Sequence, residues 1–429
     1  MVPGILTDEQ IQQVETAGYN VEAVSDLSQV AVERAQEISR VNRFAEARGL
    51  SAFEERAVMG YMTAEEIESA LINLQILHPD LVTLIELPNH TWENRISHAV
   101  RVRAGENENR IGVLFTGSMH AREWGGSDIC MSFLVNFINA YRANKGVTFG
   151  GKSFTAAQIC TILENIDLFV FPDVNPDGKN YSQTNDPISN EQGFWWRKNR
   201  NPNTSVDPSN PGVDLNRNFD FLWDSGIGTS SAPSSPIYKG VSPFSEPETR
   251  NVRHLFDTYQ NIGYFVDIHS YSELILYSWG DDENQTTDPE QNFMNSVYDG
   301  KRGTLDDTLY KEFISPQDQD KLVSLANSMN ESLATVRGNH YKVQQAVGLY
   351  PTSATSDDYA FSRHIVNNLN NKVYGYTIEF GNMFVQSFSE MRNIIKDVCA
   401  AMGELCWAIS NDVEMQKKTV EKGAMIGAR

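Results

Sequence analysis

His120-Ala121-Arg122-Glu123 places an imidazole and a carboxylate three positions apart. The residues before it, Ile111-Gly112-Val113-Leu114-Phe115-Thr116, form an apolar run that reads as a buried strand. A His and a Glu just past a strand end can turn toward one point. Imidazole nitrogen and carboxylate oxygen are donors that suit zinc, and a catalytic zinc takes three protein ligands and keeps one position open. His269 is the third candidate ligand, at the end of Tyr264-Phe265-Val266-Asp267-Ile268. Hydrolysis at such a centre also needs a group that takes a proton from water. Glu379, which ends Tyr376-Thr377-Ile378, is placed for that task. His-x-x-Glu by itself is weak evidence. Three strand ends carrying such residues weigh more, because ligands in open α/β sheets bind beyond the carboxyl ends of the strands.

Strands are expected at 81–87, 96–102, 111–116, 166–171, 264–268, 274–277 and 373–378. Helices are expected from Thr7 to near Gly18, over 26–43, from the capping box Thr63-Ala64-Glu65-Glu66 to Pro79, and over 127–141, 319–336 and 389–409. This alternation implies an α/β fold with a mixed, largely parallel twisted sheet flanked by helices. A short extended stretch is expected at 19–24. Asn175-Pro176-Asp177-Gly178 reads as a turn, and 179–250 reads as irregular, long enough to be functional. The acidic stretch 281–320 reads as an exposed insertion with marginal local structure. The division expected is a helical leader or accessory segment over 1–60, a catalytic domain over 61–412 and a frayed tail over 413–429.

Net charge is −21 over 429 residues, which argues against nucleic acid as a partner and favours approach of cationic substrates. No apolar run approaches the roughly 20 residues of a membrane helix. No signal peptide is visible at the start, so a cytoplasmic or non-classically exported protein is expected. Four cysteines are too few for a disulfide framework, and Cys399 and Cys406 read as buried thiols.

Five blocks together resemble the zinc carboxypeptidases of the carboxypeptidase A and B type. They are His120-Ala121-Arg122-Glu123-Trp124, Trp196-Arg197-Lys198-Asn199-Arg200, Gly212-Val213-Asp214-Leu215-Asn216-Arg217-Asn218-Phe219, Asp267-Ile268-His269-Ser270-Tyr271-Ser272 and Tyr376-Thr377-Ile378-Glu379-Phe380. They occur in the family's order and cover roughly 61–411. The resemblance implies a zinc carboxypeptidase-like fold and one zinc per chain, held by His120, Glu123 and His269. It implies that Glu379 is the general base and Arg200 the oxyanion-stabilising cation. Asn216 and Arg217 would clamp the substrate's terminal carboxylate, with Arg122 as a second substrate-contacting cation. Asp214 would orient a zinc-bound histidine, and Tyr350 would close over the substrate. Counting from Tyr350, the base of the specificity pocket falls on Asp357. That resembles the branch that removes C-terminal Lys or Arg. The substrates implied are peptide or protein C-termini, and the family is largely exported, which is the alternative for compartment.

Two other readings stay open at this point. One is a related metallopeptidase acting on cell-wall or other unusual peptides. The other is a catalytically silent binding module on the same fold.

Overall fold

The computed structural model describes residues 8–21, 26–46, 59–204 and 210–427, the side chains of 8 and 413–427 excepted. The expected cap at Thr7 and residues 22–24 of the expected extended stretch lie outside the described residues.

Eight strands form the main sheet: β1 (Val82–Glu86), β2 (His98–Val102), β3 (Ile111–Gly117), β4 (Ile166–Phe171), β5 (Ile262–His269), β6 (Leu274–Tyr277), β7 (Lys342–Gln345) and β8 (Tyr374–Glu379). Their order is β1-β2-β4-β3-β5-β8-β6-β7. The central neighbours β4, β3, β5 and β8 are parallel. The β1-β2, β2-β4 and β8-β6 pairs are antiparallel, so the sheet is mixed. The central strands are apolar almost throughout because helices cover the sheet, as parallel strands require. Helices Gly125–Ala143, Ala156–Asn165, Pro316–Arg337 and Phe388–Gly427 pack on one another as one layer. Pro247–Thr258 and Ser356–Val366 form a second group, joined through Phe256 and Tyr359.

Register decides where the chemistry sits. Gly117 pairs with Ile268, Ile268 with Ile378, and His269 with Glu379. Three parallel strands therefore end at one level, and their terminal residues share a rim.

Several elements differ from expectation. The second helix covers only Leu27–Ala35. After it, Glu37 is drawn into tertiary contacts: its carbonyl accepts from Tyr61 N and its carboxylate from Phe388 N. The expected turn at Asn175 starts a helix, Pro176–Thr184, with Asn175 as cap and Pro176 in the first turn. Within the expected irregular region, Pro247–Thr258 is helical, again with proline at its start. The acidic insertion is not simply exposed. Asp281, Asp282, Tyr310 and Glu312 are buried, and Asn284–Gln285 pairs with Glu312–Phe313. The closing helix continues in its backbone to Gly427 where a frayed tail was expected. The expected helix from the second capping box is present as Ala64–Leu77, with both reciprocal bonds of the box formed. Cys399 and Cys406 are buried and free.

Candidate active site

His120 and Glu123 lie in the loop between β3 and the Gly125–Ala143 helix. The loop is wedged tightly at its base. A Cβ on Gly117 would sit 2.8 Å from the Gly126 carbonyl, so only glycine allows strand end and helix start to approach so closely. His269 ends β5. His120 Nδ1 is 2.8 Å from Glu123 Oε1, His269 Nδ1 is 2.9 Å from Glu123 Oε2, and the two Nδ1 atoms are 3.1 Å apart. All three side chains are buried. Donors at these separations fit one tetrahedral zinc, whose ligand atoms stand about 3.3 Å apart at ordinary bond lengths. Among the described residues this is the one such group of His, Cys, Asp and Glu.

Each imidazole turns its other nitrogen to an aspartate. His120 Nε2 is 3.1 Å from Asp214 Oδ1, and His269 Nε2 is 2.9 Å from Asp267 Oδ2. Such partners fix ring orientation and leave Nδ1 free to ligate. Asp267 accepts from Thr116 and Ser356 hydroxyls at 2.8 and 2.7 Å. The sequence reading gave Asp267 no role. The available signal was its position two residues before His269, which on a strand means the same face.

Glu379 is half-buried beside the cluster. Burial pushes its carboxyl up to about 8, with Glu123 adding to the rise while His269 and Arg197 oppose it.

Arg200 is not brought to the cluster. Its guanidinium carbon lies 3.6 Å from the centre of the Tyr181 ring and 4.8 Å from that of Trp196, with Glu93 at 3.9 Å. Arg197 from the same block does reach the site: it donates from Nε and Nη2 to Asp214 Oδ2 at 3.0 and 2.9 Å and acts electrostatically on Glu123 and Glu379, as Arg122 does on Glu123 and Asp214. The reason is local: Ala121 N donates to the Arg197 carbonyl, which ties that residue to the metal loop. Arg200 lies beyond Asn199, whose amide is held by Glu246 and Glu248 on the other side. The block holds several cations, and spacing alone did not say which faces inward.

Asp214 also caps the short turn Leu215–Arg217, so the supposed clamp is built onto the metal support. Asn216 Oδ1 accepts from Ser356 N. Arg217 is held by the carbonyls of Gly228 and Asn216, and no ion pair with a carboxylate is found for it among the described residues. Arg122 lies over Phe384, 3.8 Å from Cζ to the ring centre, and burial with nearby Arg197 pushes it down to about 10. Tyr350 is half exposed. Asp357 is buried in the first turn of Ser356–Val366. It accepts from Thr377 Oγ1 and Asp358 N, each at 2.9 Å. Thr377 is two residues before Glu379, hence on the same face of β8.

A family model described as zinc carboxypeptidase matches residues 67–401. The chain belongs to the zinc carboxypeptidase family. Within that family, carboxypeptidase B of Astacus astacus is 30% identical over 74% of this chain and 86% of its own. Mouse carboxypeptidase A4 is 27% identical over 71% of this chain and 60% of its own. Among solved structures, thrombin-activatable fibrinolysis inhibitor aligns with a TM-score of 0.68 at 22% identity, covering 94% of this chain and 86% of that one. Carboxypeptidase A from Helicoverpa armigera gives 0.67 at 20% identity, with the same coverage. These likenesses agree on the fold. The protein is a zinc metallocarboxypeptidase, and its peptidase chemistry is that of the family.

Proposed function

We propose that this carboxypeptidase removes C-terminal Lys or Arg from peptides, with residue roles as follows. His120, Glu123 and His269 hold the zinc, which when bound polarises the scissile carbonyl and acidifies water. Glu379 accepts the proton from the attacking water and delivers it to the leaving amine. Its raised affinity for a proton suits both halves of that task. Arg197 stabilises the negative charge that develops on the carbonyl oxygen; its double bond to Asp214 holds it ready. Arg217 and Asn216 grip the terminal carboxylate, and Arg122 contacts the substrate's preceding part. Tyr350, half exposed, is free to close over the bound end.

The observation that carries the side-chain preference is Asp357. Its carboxylate is 4% exposed and has no cationic partner among the described residues, only a hydroxyl and an amide. A buried carboxylate left so favours a ligand that brings the missing charge. Relatives named carboxypeptidase B are 30% and 29% identical, those named A4 and A1 are 27%, and those named metallocarboxypeptidase A are 34% over a shorter stretch, so the preference stands on Asp357 and not on the names.

The test is a panel of peptides differing only in the last residue, read by mass spectrometry with and without a chelator. Lys and Arg ends should be cut fastest, and C-terminal amides hardly at all. A preference for aromatic or aliphatic ends would overturn the role of Asp357. Efficient cleavage of the amides would overturn the role of Arg217.

A further inference from the structure

Lys179 is fully buried, on the helix Pro176–Thr184, and lysine is rarely found so. Its Nζ donates to Ser127 Oγ at 2.8 Å. Ser127 Oγ lies 2.6 Å from Ser118 Oγ, and Ser118 Oγ lies 3.5 Å from the Glu123 carbonyl. An ammonium can only donate. Ser127 therefore accepts from Lys179, and with the Ser118 proton on the Glu123 carbonyl it is Ser127 that donates to Ser118. A directed chain of donors thus runs from a buried cation to the backbone of the metal loop.

The surroundings are built for it. Ser118 has φ +56, a left-handed conformation uncommon outside glycine, and also accepts from Ser127 N at 3.3 Å. Asn175, the cap of the lysine's helix, donates to the Met119 carbonyl beside His120. Charge balance comes from Asp128 and Asp173, both buried. Burial pushes their carboxyls up to about 7 and about 6, and Lys179 pulls both down.

We propose that Lys179 is a positioning residue for the metal centre: acting through Ser127 and Ser118, its ammonium fixes the loop that presents His120 and Glu123. The inference rests on the zinc-ligand reading of those residues. Partners one step removed from a ligand typically change metal affinity by about 10- to 100-fold.

The test uses the full chain with Lys179→Met, Ser118→Ala and the double variant. Zinc affinity is measured by chelator competition, and melting of the zinc-free protein is measured in parallel. Zinc affinity should fall by about 10- to 100-fold in each single variant, and the double variant should lose little more than either, because one chain is broken twice. The zinc-free melting temperature of Ser118→Ala should fall by only a few degrees, the scale of an ordinary lost buried hydrogen bond. Unchanged zinc affinity in Ser118→Ala, or losses that simply add, would overturn the proposal. If Lys179→Met does not fold, Ser118→Ala and Ser127→Ala carry the test. A wild-type protein without stoichiometric zinc would instead overturn the ligand reading beneath it.

Discussion

Replacing Arg197 with Met should be far more damaging than the same change at Arg200, although both stand in one short block. Arg197 is held by two charge-assisted bonds to Asp214, at 3.0 and 2.9 Å, in a buried setting. A cation fixed in advance needs no reorganisation as charge develops. Loss of one such donor costs about 10²- to 10³-fold in kcat, or about 2.7–4 kcal/mol. Methionine keeps the length and removes the charge. Asp214 retains the His120 imidazole and Asn216 N, so zinc should stay bound. Arg200 stacks on Tyr181 and Trp196, so Arg200→Met should cost less than about tenfold, mostly through lost packing. The assay is steady-state kinetics on a peptide ending in Arg, with zinc content measured on each variant. A normal kcat in Arg197→Met beside a collapse in Arg200→Met would refute the reasoning and restore the order read from sequence.

Glu379→Gln should keep zinc and lose at least ~10²-fold in turnover, the scale of a missing general base; near-normal turnover would place the base elsewhere. Asp357→Ala should erase or reverse the preference for Lys and Arg ends while amidated peptides stay resistant, which a two-substrate competition would read. Glu248 is buried beside Glu246, and burial then that neighbour push its carboxyl from 4.5 up to about 8. The folded state thus keeps a proton that the unfolded chain gives up. This contribution is full below about 4.5 and is lost as pH rises through about 8. Glu248→Gln should therefore gain stability on wild type across that window, by up to about 1.4 kcal/mol per pH unit. Urea unfolding at pH 5 and 8 measures it, and a pH-independent difference would rule it out.

The strand ends were legible in the sequence because local physics writes them there. A run such as Ile166–Phe171 is buried at every position, and apolar at all but Asp167, since both sheet faces are covered. The residue after such a run stands at the rim, so His120, His269 and Glu379 could be paired with strand ends before any coordinates. The capping box at Thr63 was equally local, since its bonds close within four residues. The Asn175 cap was not separable from a turn, because Asn-Pro-Asp-Gly satisfies both. What selected the helix was burial of Asp177 and Lys179 against distant segments.

Orientation within a block was decided only by tertiary structure. Arg197 and Arg200 have the same chemistry, and the Ala121–Arg197 backbone bond chose between them. Asp267 became a partner of His269 only once β5 placed both on one face beside Thr116 and Ser356. Lys179 looked like any lysine in a polar stretch until the fold closed over it and left Ser127 as its hydrogen-bond partner. Sequence records which groups are available. The side on which each one ends up is fixed by long-range contacts, which are a property of the folded chain.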